Sequence, residues 1–157
     1  MNRTLRLVLT VVLLLFTAVG AYFWATGMID STYAFRSPLK DSPPKPAAAN
    51  FEPATRRLVF VLIDGLRLDT SLKSVVMPTL NKLRQQGASA TMHSQAPSFS
   101  EPGYSTLLTG AWPYLNDGPA LNKDSEDIPT FTQDNLFSAV SRSGKKTAIS
   151  AYYWFEK

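Results

Sequence analysis

The chain begins with an apolar segment long enough to cross a membrane. No side chain between Leu7 and Ile29 is charged, and a helix of this length spans the hydrocarbon core of a bilayer. Arg3 and Arg6 precede the segment, so the positive-inside rule predicts a cytoplasmic N-terminus and an extracytoplasmic remainder. We expect residues 1–29 to form a cytoplasmic N-terminus and a single-pass transmembrane anchor. A cleaved signal peptide is the alternative.

The hydrophobic pattern stops after the anchor and resumes near residue 56. Residues 30–55 are rich in Pro, Ala, Ser, Lys and Asn, and their prolines interrupt regular hydrogen bonding. We expect a linker without regular structure, which holds a folded domain away from the membrane. The predicted domain occupies residues 56–157.

Three apolar runs in this domain predict strands. The run from Leu58 to Ile63 is continuously apolar and ends at the turn Asp64–Gly65. Such a run is typical of a strand that is covered on both faces of a parallel sheet. Further strands are predicted at residues 88–94 and 146–151.

Helix start and stop signals alternate with these runs. Proline in a first turn, serine or aspartate as an N-cap and glycine as a stop are the signals. They predict a helix with Pro78 in its first turn and Gly87 as its stop. A second helix is predicted from about Glu101 to Leu108, with Ser100 as its cap and Gly110 as its stop, and a third between the cap Asp134 and the stop Gly144. The alternation predicts an α/β fold, a mostly parallel sheet with flanking helices, preceded by one transmembrane helix.

The amino-acid composition limits the kinds of binding site that the chain can form. The net charge is +4, but the sixteen Lys and Arg residues are scattered rather than clustered, so we expect no nucleic-acid binding. Because the chain has no cysteine, disulfides and thiolate metal sites are excluded. A metal ion would need oxygen or imidazole ligands.

Two residues point to phosphoryl-transfer chemistry. Asp64 follows a predicted strand, where ligands of open parallel sheets collect, and its carboxylate suits a divalent cation. Ser100 stands at a predicted helix start, where backbone amides and the helix dipole attract phosphate or sulfate. The alternatives are that Asp64 only forms a turn and that Ser100 only caps a helix.

A series of motifs resembles the alkaline phosphatase superfamily, from Leu58 to about Ala151. Its branches most similar to this chain are the type I phosphodiesterase/nucleotide pyrophosphatases and the membrane-bound ethanolamine phosphate transferases. The motifs are Val61-Leu62-Ile63-Asp64-Gly65-Leu66-Arg67, Met77-Pro78-Thr79-Leu80, Gly87-Ala88, Pro97-Ser98-Phe99-Ser100-Glu101-Pro102, Leu107-Leu108-Thr109-Gly110 and Pro113.

The resemblance implies roles for three residues. Asp64 stands where the family has its first metal-binding aspartate, and Ser100 where it has a nucleophile that also contacts a metal. Two zinc ions activate that hydroxyl in the family. Asn122 is the candidate for a phosphate-contacting asparagine, with Asn116 as an alternative.

Other hydroxyls compete for the nucleophile's role. Ser98, Ser105 and Thr106 lie in the same stretch. Ser100 is favoured because it precedes Glu101-Pro102, which matches the family's hydroxyl-x-Pro pattern.

The chain departs from the family in its metal ligands. The family completes its two-metal site with histidines and aspartates downstream of the nucleophile, whereas His93 is the only histidine here and precedes it. We expect His93 to be structural or surface-exposed. Each zinc normally needs three protein ligands, so two zinc sites cannot be completed. This shortage and the terminal aromatic run from Tyr152 to Phe155 suggest the N-terminal portion of a larger catalytic domain.

The favoured function is thus that of a membrane-anchored, metal-dependent phosphodiesterase or phosphoryl hydrolase, acting on a phosphodiester or phosphate ester. An ethanolamine phosphate transferase-like enzyme and a non-catalytic anchored module are alternatives. A serine hydrolase is disfavoured because Gly-x-Ser-x-Gly is absent. Sulfatase chemistry is disfavoured because Tyr104 replaces the arginine of the sulfatase pattern.

Overall fold

The computed structural model describes residues 2–46 and 55–156, apart from the side chains of Ser125 and Glu156. The chain divides into two compact units. The first unit comprises Met1–Lys45 and Ala96–Lys157, and the second comprises Pro46–Gln95. The helices of the described part are α1 Arg3–Tyr33, α2 Leu68–Ser71, α3 Pro78–Gln86, α4 Ser100–Thr109 and α5 Leu136–Arg142, with 3-10 turns at Ser125–Asp127 and Tyr153–Glu156.

The predicted parallel sheet is wrong. Residues 2–46 and 55–156 contain no strand, and all three segments predicted as strands lie outside helices as well. Side chains that should be covered on both faces are exposed: Val59 by 84% and Val61 by 71%. A β-branched apolar run favours an extended backbone, but a strand also needs a neighbour whose backbone completes the ladder.

The helix predictions are confirmed, with small shifts at two starts. Helix α3 begins at Pro78, and Gly87 caps it. Helix α4 ends at Gly110, whose φ of 69° is the left-handed conformation that favours glycine. The cap of α5 is Asn135 rather than the predicted Asp134, because the Asn135 side chain accepts from two backbone amides of the first turn.

Helix α1 is 31 residues long and contains no buried residue. Its most apolar window has a mean hydropathy of 2.3. By length and composition it could cross a membrane, as a single-pass anchor or as a signal sequence. The cytoplasmic placement of its N-terminus stays a prediction.

The first unit is organised around a buried carboxylate, Asp117. Arg36 Nε donates to its Oδ1 at 2.9 Å, and the Ser37 backbone amide donates to the same oxygen at 3.0 Å. Thr132 Oγ1 donates to Oδ2 at 3.1 Å. Burial alone would raise the pKa of Asp117, but these hydrogen bonds and the Arg36 charge together lower it.

Part of the predicted linker therefore contacts the folded part of the first unit. Besides the ion pair of Arg36, Ser37 Oγ donates to the Leu115 carbonyl at 2.7 Å, and Gln133 Nε2 donates to the Leu39 carbonyl at 3.1 Å. Residues 47–54 of the predicted linker lie outside the described residues.

In the second unit, two side chains of α3 are hydrogen-bonded to Ser71, the last residue of α2. Asn81 Nδ2 donates to the Ser71 carbonyl at 2.9 Å, and Arg84 Nη2 donates to the Ser71 hydroxyl at 2.9 Å. Both donors lie on α3. These hydrogen bonds hold α3 against the end of the short helix α2, whose last carbonyls have no partner within the helix itself.

Candidate functional site

Ser100 lies at the start of helix α4. The structure places it as the first helical residue, whereas Phe99 occupies the cap position that the sequence had assigned to Ser100. Pro102 falls in the first turn, where its missing N–H costs no helical hydrogen bond. In this turn Pro102 has no N–H and the Gly103 amide donates to the Phe99 carbonyl, so it is the positive end of the helix dipole that makes the surroundings of Ser100 suited to an anion.

The structure brings Asn122 to this helix start. Asn122 Oδ1 accepts from the backbone amide of Glu101, the residue after Ser100, at 3.1 Å. The next backbone amide, that of Lys123, donates to Glu101 Oε2 at 3.0 Å. The loop that carries Asn122 is therefore attached to the first turn of α4 by two hydrogen bonds, and two of the predicted site residues lie in one region.

Glu101 is a feature of this region that the sequence did not reveal. Its side chain is buried, and burial raises the pKa of its carboxyl, while the hydrogen bond from Lys123 opposes the shift. A glutamate in a first helical turn ordinarily faces solvent, so nothing in the local sequence signals this burial.

The competing hydroxyls differ from Ser100 in their surroundings. Ser105 is buried and donates to the Glu101 carbonyl at 2.9 Å, and Thr106 donates to the Pro102 carbonyl at 2.9 Å. Both hydroxyls thus bond to the preceding turn of α4. Ser98 is exposed in the loop before the helix. Ser100 is the hydroxyl at the helix start itself.

The side chain of Asn116, the alternative to Asn122, is buried and bonded to the backbone around it. Its side chain is fully buried. Nδ2 donates to the Ala111 carbonyl at 3.0 Å, and Oδ1 accepts from the Gly118 amide at 2.9 Å. These contacts hold the loop that follows α4 in place, and they account for the burial of the Asn116 side chain.

Asp64 lies in the second unit, in the predicted turn. Its Oδ1 accepts from the Gly65 amide at 2.9 Å, and Gly65 has a φ of 68°. The Asp64 carboxylate is exposed, as is His93 in the same unit. Asp64 and Ser100 therefore belong to different units.

The donor set around Asp64 does not fit the two zinc ions that the family resemblance implies. No group of three or more His, Cys, Asp or Glu side chains comes together in the part of the chain that the structure describes. One carboxylate is a suitable ligand for a divalent cation, but a zinc site normally uses three protein ligands. The two-zinc cofactor stays a prediction.

The comparison with protein families found a match for the segment that contains Asp64 and Ser100. Residues 58–116 match the family model of type I phosphodiesterase / nucleotide pyrophosphatase. This match confirms the family resemblance over a segment that contains Asp64 and Ser100, whereas Asn122 lies beyond it. The comparisons with curated proteins and with solved structures found no match.

Proposed function

We propose that this protein is a membrane-anchored phosphoryl hydrolase that cleaves phosphodiesters, with Ser100 as its nucleophile. The family match over residues 58–116 carries the proposal. The reactions named in that family, phosphodiester and pyrophosphate hydrolysis, both break a bond between phosphorus and oxygen. Ser100 is the hydroxyl of that segment that stands at the start of a ten-residue helix.

The surroundings of Ser100 support an anionic substrate. A phosphodiester carries one negative charge, which the positive end of the helix dipole at the start of α4 stabilises. Asn122 adds a side-chain amide at the same helix start, and the NH₂ group of asparagine can donate to phosphoryl oxygens. We assign Asn122 the role of orienting the phosphoryl group.

The proposed reaction has two steps. Ser100 Oγ attacks phosphorus, the bond from phosphorus to the alcohol oxygen breaks, and the alcohol leaves with the proton of the serine hydroxyl. Water then hydrolyses the phosphoserine ester, which restores the hydroxyl and releases a phosphomonoester. Transfer to a second alcohol instead of water would make the protein a phosphotransferase, and product analysis separates the two.

The decisive variant is Ser100→Ala in the full chain. We expect it to lower phosphodiester hydrolysis by at least about a thousandfold, because no covalent intermediate can form. The matched control is Ser98→Ala, which removes an exposed hydroxyl two residues earlier and should retain activity within about twofold. A rapidly quenched reaction should place the phosphoryl group, still esterified to the second alcohol, on Ser100. Phosphate trapped on another residue, or full activity of Ser100→Ala, would refute the assignment.

We also propose that Asp64 is a ligand of a divalent cation, probed with zinc. Asp64→Asn should lower the zinc content per chain, measured by elemental analysis after dialysis, because an amide binds zinc more weakly than a carboxylate. Asp69→Asn is the control: Asp69 lies in the same unit, and Arg67 Nη2 donates to it at 2.9 Å. Equal zinc in both variants and in the wild type would remove Asp64 from the site.

A further inference from the structure

Residues 33–39, which end helix α1 and follow it, form a tether that contacts a loop of the same unit. This loop, residues 115–123, is the bridging loop. At its first residue, the Leu115 carbonyl accepts from Ser37 Oγ of the tether at 2.7 Å. Ser37 is only 1% exposed, so water has little access to this hydrogen bond. The start of the bridging loop is thus fixed to the tether.

The last residue of the bridging loop also contacts the tether. Lys123 Nζ donates to the Tyr33 carbonyl at 2.6 Å and lies 5.7 Å from the centre of the Tyr33 ring. A cation at this distance is attracted by the face of an aromatic ring, and it also suits the negative end of a helix dipole. Lys123 therefore holds the end of the bridging loop to the end of α1.

Asp117, the third residue of the bridging loop, forms an ion pair with the tether. Arg36 donates to both carboxylate oxygens, and the Ser37 backbone amide donates to Oδ1 at 3.0 Å. A guanidinium that contacts both oxygens fixes their direction as well as their distance. The φ of Asp117 is 49°, a left-handed conformation that surrounding contacts must maintain in a residue with a side chain. The tether thus helps to maintain the shape of the bridging loop.

The bridging loop also packs on helix α4. Residues 116–120 are all buried, and a Cβ atom added at Gly118 would lie 2.6 Å from Ser105 Cβ on that helix. Further along the loop, Asn122 Oδ1 accepts from the Glu101 amide at 3.1 Å. Because a closely packed segment moves as a whole, a displacement where it meets the tether also shifts it against α4. The bridging loop therefore connects the tether to the first turn of α4.

We propose that the tether is a positioning element, which holds the bridging loop so that Asn122 stays at the helix start that carries Ser100. Arg36 is its principal residue and acts through Asp117. The inference rests on the proposed function, in which Asn122 orients the phosphoryl group. An ion pair that only stabilised the fold would lower stability without acting through Asn122.

The first test measures hydrogen exchange of the Glu101 amide in the full chain in detergent, because this amide donates to Asn122. Arg36→Lys keeps the positive charge but not the bidentate geometry. We expect it to speed the exchange about threefold to tenfold, the value of one hydrogen bond. Lys40→Arg is the control, since Lys40 pairs with the adjacent Asp41 at the surface, and it should stay within about twofold of wild type. Equal exchange in the two variants would refute the coupling.

A second pair of variants tests the coupling if Arg36→Lys does not fold. Lys123→Met removes the side-chain donor to the Tyr33 carbonyl and retains the backbone amide that donates to Glu101. It should speed exchange of the Glu101 amide by at least about threefold. Lys40→Met makes the same substitution in the tether's surface pair with Asp41, just after its last residue. Exchange that is equal in these two variants would refute the coupling as well.

Hydrolysis of bis(p-nitrophenyl) phosphate separates positioning from a merely stabilising role. We expect Asn122→Ala to lower kcat about tenfold and Arg36→Lys to lower it about threefold. The double variant should lose no more than Asn122→Ala alone, because Arg36 acts through Asn122. Losses that multiply, or wild-type kcat in Arg36→Lys, would refute the positioning role.

Exchange and hydrolysis together separate this inference from the proposed function. Faster exchange in Arg36→Lys, with a wild-type chain that hydrolyses no phosphodiester, would refute the function and leave the tether as a support of the bridging loop. Hydrolysis that depends on Ser100, together with equal exchange in Arg36→Lys and Lys40→Arg, would refute the inference alone.

Discussion

The sequence predicted some of the residue contacts in the first unit but not others. Ser100 lies at a helix start and Asn122 accepts a hydrogen bond from that start, while the roles that the family motifs suggest for both residues stay predictions. The ion pair between Arg36 and Asp117 was not predicted, because 81 positions separate the partners and Arg36 lies in a proline-rich stretch. Contacts of this range depend on tertiary packing, which local pattern does not encode.

The close approach of Gly118 to Ser105 predicts how a substitution of this glycine changes stability. A Cβ atom there would lie 2.4 Å from Ser105 Oγ and 2.6 Å from Ser105 Cβ. Gly118→Ala should therefore lower the free energy of unfolding by about 1–3 kcal/mol, because the loop can no longer approach α4 so closely. Gly103→Ala is the control, since nothing lies within 4 Å of its added Cβ. Chemical unfolding followed by circular dichroism would contradict the prediction if both variants matched the wild type.

Helices and strands differed in how well the sequence predicted them. The start and stop residues of α3, α4 and α5 act locally, within one turn, and their positions were predicted to within two residues. A strand is stabilised by partners that are distant in sequence, so the run at Leu58–Ile63 could indicate an extended backbone but not a ladder.

Helix α5 carries a pH-dependent contribution to stability. Hydrogen bonds from Arg142 and then Ser138 lower the pKa of Asp134 to about 2, from an ordinary value of 3.8. Because the folded-state pKa is the lower one, the stabilisation is complete above the ordinary value and is lost as the pH falls toward about 2. The pair is largely exposed, so solvent screening keeps its contribution small.

Unfolding of the full chain in denaturant at several pH values between about 5 and 2 tests this contribution. Asp134→Asn should be less stable than wild type near pH 5 and should approach it near pH 2. Arg142→Met should behave in the same way, because it removes the other partner of the ion pair. A constant stability difference across this range would contradict the assignment to Asp134.

The whole molecule combines a long apolar helix with the unit that contains Ser100. We expect the full chain to remain with membranes after washing at alkaline pH, because α1 is long enough to span the hydrocarbon core. The matched variant carries two lysines, at Leu13 and Leu14 in the middle of α1, where each charge would cost about 2.5–3.5 kcal/mol. Release of the wild-type chain by the wash would contradict membrane anchoring.

The contact between Lys123 and the end of α1 affects the route by which a substrate would reach Ser100. Lys123 Nζ donates to the Tyr33 carbonyl at 2.6 Å, and the preceding residue, Asn122, contacts the start of α4. An anchor that ends at Tyr33 would therefore hold the loop that carries Asn122 near the lipid headgroups. An amphiphilic phosphodiester dissolved in the same leaflet would then reach Ser100 by lateral diffusion, and its turnover would follow the mole fraction of substrate in the bilayer rather than its concentration in water.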